Sequence, residues 1–290
     1  RKKRDASVRV CARLVKEGRA QAVVTAGNTG AAMIAAKTVI GAIPGVDRPA
    51  LAAVLPGHGG STVVLDVGAN VGAKASHLRQ FAVMGHFYAQ GLVGAEAPKV
   101  GLMSVGEEEG KGTEVTREVF RVLQRTGLNF VGNVEGRDVW SGAVDVIVCD
   151  GFVGNVALKT SEGVARMVSF QLRQSFRQSW VTRLAALAAM PVLKRFKQTF
   201  DPRRYNGASL LGLRGIVIKS HGGADAVGFA SAVELAAKMA EPDRVVAYRC
   251  RGHQCEPPFS DPAELHPGEP PATPDASPAK RVCQTSRLDE

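Results

Sequence analysis

The residues best suited to chemistry lie in six short turns, each placed between a β-branched run and a helical pattern. Glycine permits close backbone approach, Asn and Asp cap helices, and the N–H groups that open a helix favour an anion. One such turn is weak evidence, but six together predict a crevice for a polar, anionic ligand. The turns are AGNTGAA (26–32), DVGANVGAK (66–74), GEEEGKGTE (106–114), NVEGRD (133–138), CDGFVGN (149–155) and KSHGGAD (219–225).

Several familiar catalytic motifs are absent from the sequence. GEEEGKGT differs from a nucleotide-binding P-loop because its first two glycines are separated by three residues and Gly112 follows the lysine. Neither a GxGxxG fingerprint after a strand nor a GxSxG elbow is present. Cys149 ends an apolar strand, which favours a buried structural cysteine over a nucleophile. His221 lies near Lys219 and Asp225, where a role in the site and a helix start capped by Asp225 both remain open.

A sheet is needed to bring these turns together, and the sequence predicts one. Short apolar runs alternate with helical patterns, which indicates an α/β fold: a three-layer, Rossmann-like arrangement with a mainly parallel sheet. Ligands bind at the carboxyl ends of the strands in such sheets, so we expect all six turns at one edge. The predicted strands are 21–25, 51–55, 62–66, 100–105, 129–134, 144–150 and 215–220. The predicted helices are 6–18, 29–40, 74–93, 113–126, 154–190 and 225–240.

The formal charge of +10 is concentrated in one part of the chain. Residues 163–219 hold eleven Lys and Arg and one acid, Asp201, whereas the rest has 26 of each sign. A local excess indicates a surface that meets an anionic partner. No apolar run approaches the roughly 20 residues of a membrane-spanning helix, and RKKRDASVRV at the start lacks the apolar core of a signal peptide. The five cysteines are irregularly spaced, so we expect no disulfide framework and a cytoplasmic protein.

Two regions are expected from composition: a catalytic α/β domain over residues 1–249 and a disordered tail over residues 250–290. The tail contains eight of the fifteen prolines and almost no large apolar residues, a composition typical of disorder. Cys250, His253 and Cys255 lack zinc-finger spacing and a second ligand pair. No metal site is therefore predicted.

Long motifs spread over about residues 5–240 resemble one bacterial family. They are AGNTGA, DVGANV, VGEEEGKGTE, NVEGRD, CDGFVGNVALKTSEG and YNGASLLGLRGIVIKSHGGADA. On these motifs the chain resembles the phosphate acyltransferases of phospholipid synthesis, the PlsX family. The resemblance implies transfer of a long-chain acyl group from acyl carrier protein to inorganic phosphate, with no cofactor, and a fold similar to phosphate acetyltransferases and isopropylmalate dehydrogenases. Members begin with a strand and a DAMGGD-like turn that this sequence lacks.

The matching motifs imply roles for particular residues. Cations are expected to neutralise phosphate, the histidine to protonate the departing thiolate, and the carboxylates to position their neighbours rather than bind an anion. The expected catalytic residues are Asn28, Arg137, Lys219 and His221. The expected substrate-binding residues are Thr29, Gly30, Asn70, Asn133, Asn155, Asp66, Glu135 and Asp150.

Residues 163–206, here called the basic segment, are predicted to form protruding amphipathic helices. Apolar residues recur every four positions at Val164, Val168, Leu172, Phe176 and Trp180, with arginines on an adjacent face. Homodimer packing, docking of the acidic carrier protein and contact with an anionic membrane surface all remain open. Nucleic acid is not expected, because no binding motif accompanies the charge. The expected membrane contacts are Trp180, Leu184 and Leu187.

The resemblance adds peripheral membrane association, a homodimer and delivery of product to a membrane-bound glycerol-3-phosphate acyltransferase. Two other functions stay open on the sequence alone. One is a phosphate acetyltransferase-like enzyme that uses acyl-CoA. The other is a non-catalytic scaffold that binds lipid or carrier protein.

Overall fold

The computed structural model describes residues 5–199, 201–240, 245–251, 254–255 and 280–285. These residues form one mixed sheet in the order β10-β9-β11-β1-β8-β7-β2-β3-β6-β4-β5. The strands are β1 (Ala22–Thr25), β2 (Ala50–Gly57), β3 (Gly60–Leu65), β4 (Lys99–Met103), β5 (Asn129–Val134), β6 (Val146–Val148), β7 (Ala208–Leu211), β8 (Ile216–Lys219), β9 (Val245–Arg251), β10 (Gln254–Cys255) and β11 (Lys280–Thr285). The helices are α1 (Ser7–Lys16), α2 (Thr29–Val39), α3 (Ala75–Tyr88), α4 (Glu114–Leu123), α5 (Gly151–Arg177), α6 (Trp180–Ala188), α7 (Met190–Thr199) and α8 (Ala226–Ala240).

The central strands are apolar on both faces, and each face packs against helices. Val63 and Leu65 of β3 belong to a core cluster with residues of α3 and α4. Val64, between them, points the other way into a cluster with residues of α1 and α2, as the alternation of side chains along a strand requires. The predicted three-layer α/β fold is confirmed.

The direction of the strands reverses in the middle of the sheet. β1 and β8 are parallel, and β3, β6, β4 and β5 form a second parallel block. Between the blocks, β7 and β2 pair antiparallel with each other and with their outer neighbours β8 and β3. The carboxyl ends of the two blocks therefore point to opposite edges. The expectation that all six turns meet at one edge is wrong: two lie at one edge and four at the other.

The basic segment folds as helices, but not as the single long helix predicted over 154–190. α5 ends at Arg177, where Ser179 caps the next helix by accepting a hydrogen bond from the Thr182 N–H at 3.1 Å. The predicted apolar stripe also divides. Leu172 and Phe176 are half-buried, whereas Val164, Val168 and Trp180 are exposed.

The expected disordered tail lies mostly outside the described residues. Its described part includes β11, which pairs parallel with β1 from Val282 to Thr285. At the other end of the chain, Cys11 is buried in α1 and disulfide-bonded, which departs from the expectation of reduced cysteines. Among the described helices, none combines the length and hydropathy needed to cross a membrane.

Candidate active site

A groove of about 700 Å³ runs over β2, beside α5, and reaches the turns that follow β1 and β8. Its floor is Leu51, Ala53 and Leu55, alternate residues of β2 that share one face of the sheet. Leu158 and Trp140 add apolar walls. An apolar chain therefore has a surface to lie on for the length of β2.

The end of the groove beside β8 is polar. Lys219, Ser220 and His221 continue from β8 into this end, opposite Thr29 at the start of α2. The Thr25 and Lys219 positions are paired across β1 and β8, which places the two strand-to-helix turns side by side. A helix N-terminus beside a lysine is a favourable environment for an anion.

His221 is held in one orientation by its neighbours. Its backbone N–H donates to Asn206 Oδ1 at 2.8 Å, and its Nδ1 accepts a hydrogen bond from the Gly223 N–H at 3.0 Å. The neutral ring therefore carries its proton on Nε2. Partial burial, followed by repulsion from Lys159, lowers the pKa of His221 below its usual value of 6.5. At neutral pH this side chain is a hydrogen-bond donor without a second proton to transfer.

Asn206 fixes the loop that carries His221. Its side-chain Nδ2 donates to Ser220 Oγ at 2.8 Å and to the Gly228 carbonyl at 2.6 Å, while its Oδ1 accepts from His221. The Asn206 amide thus ties β8, the loop after it and α8 together. Its polar atoms are used within the protein, so it positions His221.

Cations outnumber carboxylates at the polar end. Lys159 pairs with Glu162 at 2.9 Å, while Arg166 and Lys219 also line the groove. These cations all disfavour protonation of His221, and Glu162 favours it. The charge at this end suits a phosphate-sized anion.

A buried carboxylate, Asp66, anchors the end of the groove that lies away from Lys219 and His221. The two Asp66 oxygens accept hydrogen bonds from the backbone N–H groups of Leu51, Gly68, Ala69 and Asn70. Asn70 Nδ2 donates to Asp66 and to the Pro49 carbonyl, each at 2.8 Å. Burial raises the pKa of Asp66 above its usual 3.8, although the bonds from Ala69, Asn70 and Leu51 oppose that rise. Asp66 and Asn70 shape the loop beneath α5.

The start of α5 is fixed to this loop. Asp150 accepts hydrogen bonds from the Phe152 N–H at 2.8 Å and from the Ala73 N–H at 2.7 Å. A β-carbon on Gly151 would lie 2.5 Å from the Asn70 carbonyl oxygen, and one on Gly154 would collide with the Asp66 carbonyl. Glycine at these positions lets α5 approach closely enough to place Asn155 in the groove.

The structure brings four of the predicted site residues to the groove: Thr29, Asn155, Lys219 and His221. Asn28 and Gly30 flank Thr29, where Asn28 Oδ1 caps α2 by accepting from the Ala31 N–H at 3.0 Å. The remaining predicted residues lie at or after the carboxyl ends of strands of the second parallel block: Asn70, Asn133, Asp66, Glu135, Asp150 and Arg137.

Arg137 is the clearest departure from expectation. Its guanidinium is paired with Glu107 at 2.7 Å and with Glu135 at 2.9 Å, and its side chain is 68% exposed. It does not line the groove. Asn133 is buried nearby and donates to the Glu108 carbonyl at 2.8 Å. These residues brace the turns at the far edge and do not meet Lys219.

Cys149 is not placed to act as a nucleophile. It is 3% exposed, and its Sγ faces the Asp66 carbonyl oxygen at 3.5 Å. Burial, followed by the nearby Asp66 charge, raises the pKa of the Cys149 thiol well above its usual value. The interpretation of a buried structural cysteine is confirmed.

Several residues of the groove were not predicted from the sequence. Asn206 and Arg203 precede β7, which is four residues long and flanked by glycines. The asparagine in YNGASLLGL was the available signal. The sequence could not show that β2 forms the floor of a groove, because this depends on the antiparallel pairing of β2 with β7 and β3.

A three-layer α/β sheet whose apolar groove ends among cations can accommodate an anion beside an apolar group. Solved structures share the fold. The EutD phosphotransacetylase from Staphylococcus aureus superposes with a TM-score of 0.53 and 18% identity, over 81% of this chain and 67% of that one. A phosphotransacetylase from Streptococcus pyogenes gives a TM-score of 0.54 and 18% identity, over 80% and 66%.

Sequence comparison is more specific. The family described as "Fatty acid synthesis protein" matches residues 1–247. The phosphate acyltransferase of Methylococcus capsulatus is 55% identical over 241 residues, 83% of this chain and 71% of that protein. The phosphate acyltransferase of Paraburkholderia phytofirmans is 54% identical over 234 residues, 81% of this chain and 64% of that protein. The chain belongs to the fatty acid synthesis protein family, the family of the bacterial phosphate acyltransferases.

Proposed function

We propose that this chain transfers a long-chain fatty acyl group from acyl carrier protein to inorganic phosphate and so supplies acyl phosphate for phosphatidic acid and phospholipid synthesis. One observation carries the proposal within the structure: a single groove joins an apolar floor to a cation-rich end. The floor suits the acyl chain, and the cations suit the phosphate. The names of the relatives support the same reaction.

The chemistry needs little more than positioning. A phosphate oxygen attacks the thioester carbonyl carbon, a C–O bond forms, and the C–S bond breaks as the carrier thiolate leaves. Phosphate is already an anion at neutral pH, and a thiol has a pKa of about 8.5, so neither a strong base nor a covalent enzyme intermediate is required. The protein must align the reactants and stabilise the tetrahedral oxyanion.

Specific residues fit these tasks. Lys219, with Arg166 nearby, neutralises the phosphate, and the N-terminus of α2 at Thr29 faces it. His221 donates its Nε2–H to the oxyanion. This role replaces the expected protonation of the thiolate, because Nδ1 already accepts a hydrogen bond and the ring is neutral at pH 7. Asn155, which lines the groove beside the Asp66 loop, binds the part of the substrate that lies near the start of α5.

The test is thiol release from palmitoyl-acyl carrier protein and from palmitoyl-CoA, each with and without phosphate. We expect release from the carrier protein that depends on phosphate. Release confined to CoA would favour the phosphate acetyltransferase-like alternative, and no release would favour the scaffold.

Lys219→Ala probes the phosphate site in the same assay. We expect at least a hundredfold loss of kcat/KM for phosphate, since a cation that faces the anion is removed. Lys16→Ala, an exposed lysine at the end of α1, is the matched control. Near-normal turnover by Lys219→Ala would overturn the assignment of that residue.

The basic segment supplies the proposed partners. Trp180, Leu184 and Leu187 are 73%, 56% and 64% exposed and lie among arginines, which suits an anionic bilayer surface. We further propose that this segment carries a homodimer contact and docks the acidic carrier protein nearby. A cytoplasmic protein with peripheral membrane contact could pass its product to the membrane glycerol-3-phosphate acyltransferase.

A further inference from the structure

One face of α5 brings charged side chains of both signs to the polar end of the groove. Lys159, Glu162 and Arg166 lie three and four positions apart, the spacing of neighbours on a single helix face. All three line the groove, as do Lys219 and His221. Two cations of α5 therefore flank one carboxylate at the place proposed for the phosphate.

Glu162 is less exposed than the lysine with which it pairs. Its side chain is 22% exposed, against 47% for Lys159. Both carboxylate oxygens accept hydrogen bonds from the Lys159 ammonium, Oε1 at 3.1 Å and Oε2 at 2.9 Å. A carboxylate oxygen can accept two hydrogen bonds, so each oxygen can also take a donor from a ligand in the groove.

The charge of Glu162 is felt across the groove at His221. Burial lowers the pKa of His221 most, and the cations of the groove lower it further, whereas Glu162 raises it. The carboxylate therefore lies within electrostatic reach of the space where the anion is expected.

Asp225 is the other carboxylate that lines the groove among the described residues, and its bonds are structural. Oδ1 accepts from the Gly228 N–H at 2.9 Å, and Oδ2 accepts from Arg203 NH1 at 3.0 Å. These bonds join the start of α8 to the segment before β7. Glu162 is bonded to a lysine of its own helix, and that pair ties no two elements together. Of the two carboxylates, Glu162 is the one placed to meet a ligand.

A carboxylate beside an anion is unfavourable unless the anion brings a proton. Like charges repel, but an O–H of the anion can donate to the carboxylate in a short, charge-assisted hydrogen bond. Inorganic phosphate keeps at least one O–H at neutral pH. Sulfate is also a tetrahedral anion, but it carries no proton at that pH. The same carboxylate therefore favours phosphate and repels sulfate.

We propose that Glu162 selects phosphate over sulfate by accepting the hydrogen bond that the phosphate O–H donates. This inference rests on the proposed function, because it assigns a residue to the phosphate of that reaction. The cations Lys159, Arg166 and Lys219 attract either anion, so they supply affinity and Glu162 supplies discrimination. Glu162 is a specificity-determining residue of the groove.

Glu162→Gln tests this role in the thiol-release assay with palmitoyl-acyl carrier protein. The neutral amide removes the repulsion and can donate an N–H to a sulfate oxygen. We expect the ratio of the sulfate inhibition constant to the KM for phosphate to fall at least tenfold, about the contribution of one hydrogen bond to a charged group. This ratio does not depend on the fraction of folded protein. An unchanged ratio would overturn the proposal.

Glu234→Gln is the matched control. Glu234 is an exposed glutamate of α8 that does not line the groove, so its substitution should leave the ratio as it is in the unaltered protein. An equal fall of the ratio in both variants would show a general effect of lost negative charge and would contradict a specific contact.

Arsenate provides a second probe, because it is tetrahedral like sulfate but keeps an O–H at neutral pH. The unaltered protein should accept arsenate in place of phosphate for thiol release, while the sulfate inhibition constant stays at least tenfold above the KM for phosphate. Sulfate inhibition at concentrations equal to that KM would overturn the proposal.

Lys159→Ala separates direct contact from an effect through the lysine. If Glu162 only holds Lys159 in place, Glu162→Gln and Lys159→Ala weaken phosphate and sulfate alike, and the proposal fails. Discrimination kept in Lys159→Ala and lost in Glu162→Gln supports it. Absence of phosphate-dependent thiol release by the unaltered protein would instead overturn the proposed function.

Discussion

At the residue scale, His221 shows how two hydrogen bonds decide a chemical role. The bond from Gly223 to Nδ1 at 3.0 Å leaves Nε2–H as the outward donor. The bond from the backbone to Asn206 fixes the ring's position. A donor fixed before the reaction stabilises charge that develops in the transition state without reorganisation.

The His221 role can be tested by substitution. His221→Gln keeps an N–H donor near the Nε2 position, whereas His221→Ala removes it. We expect Ala to lower kcat about 10²- to 10³-fold and Gln to recover at least tenfold of that loss. Equal loss in both variants, measured by thiol release, would point to proton transfer instead.

The pH profile gives a second readout of His221. Because the pKa is lowered from 6.5, the ring stays neutral as pH falls from 8 to 6.5 and gains a proton only below that. An acid limb of kcat/KM below pH 6.5 is therefore expected in the unaltered protein. The Gln variant should lose that limb.

The sequence identified the residues of this site unevenly. Lys219 and His221 follow a clear strand, and Thr29 opens a clear helix, so local patterns were sufficient. The ion pairs of Arg137 with Glu107 and Glu135 could not be read from the sequence, because contacts between separate turns are set by packing. Asn206 was missed because its three bonds join segments that are separate in the sequence.

At the element scale, α5 is the longest of the described helices and runs beside the groove. Its first turn lies against the Asp66 loop, where glycine is required by contact rather than by backbone conformation. Further along, no heavy atom lies within 4 Å of a β-carbon placed on Gly163. The helix is thus tightly fitted at its start and open in the middle.

Gly154 and Gly163 of α5 give a test of how tightly each part of the helix packs. Gly154→Ala would place a methyl group against the Asp66 carbonyl and Cys149 Sγ, so we expect the free energy of unfolding to fall by about 1–3 kcal/mol or more. Gly163→Ala adds only helix propensity and should raise it by up to about 1 kcal/mol. Urea unfolding followed by circular dichroism measures both. Similar values for the two variants would contradict the tight fit of α5.

The predicted element boundaries were accurate where their causes are local in the sequence and inaccurate where other signals outweighed the pattern. The strand at 129–134 and the starts of most helices were predicted within a residue or two, because apolar periodicity and caps are local. The long helix predicted over 154–190 was wrong, because the Ser179 cap outweighs a continuing apolar pattern. β7 was missed because its sequence, ASLL, contains no β-branched residue, unlike the equally short β1 and β8.

At the scale of the whole molecule, the basic segment carries an exposed apolar surface, whereas the sheet outside it is balanced in charge. Trp180→Glu with Leu184→Glu should abolish flotation with anionic liposomes, because two carboxylates oppose both burial and the surface potential. Phe87→Glu with Val105→Glu changes two exposed apolar residues outside the segment and is the matched control. Unchanged flotation of the Trp180 and Leu184 variant would contradict membrane contact through this surface.

Because strand direction reverses at β2 and β7, two different parallel blocks of the sheet carry the residues that line the groove. Thr29, Lys219 and His221 belong to the β1 and β8 block, whereas α5, which carries Lys159 and Arg166, is seated on the β3 and β6 block. Substitutions in the first set of strand-to-helix turns therefore act directly on Lys219 and His221, while substitutions in the second set act on Lys159 and Arg166 through the position of α5. The two walls of the cation-rich end can therefore be altered separately, one through the turns after β1 and β8 and the other through the turns beneath α5.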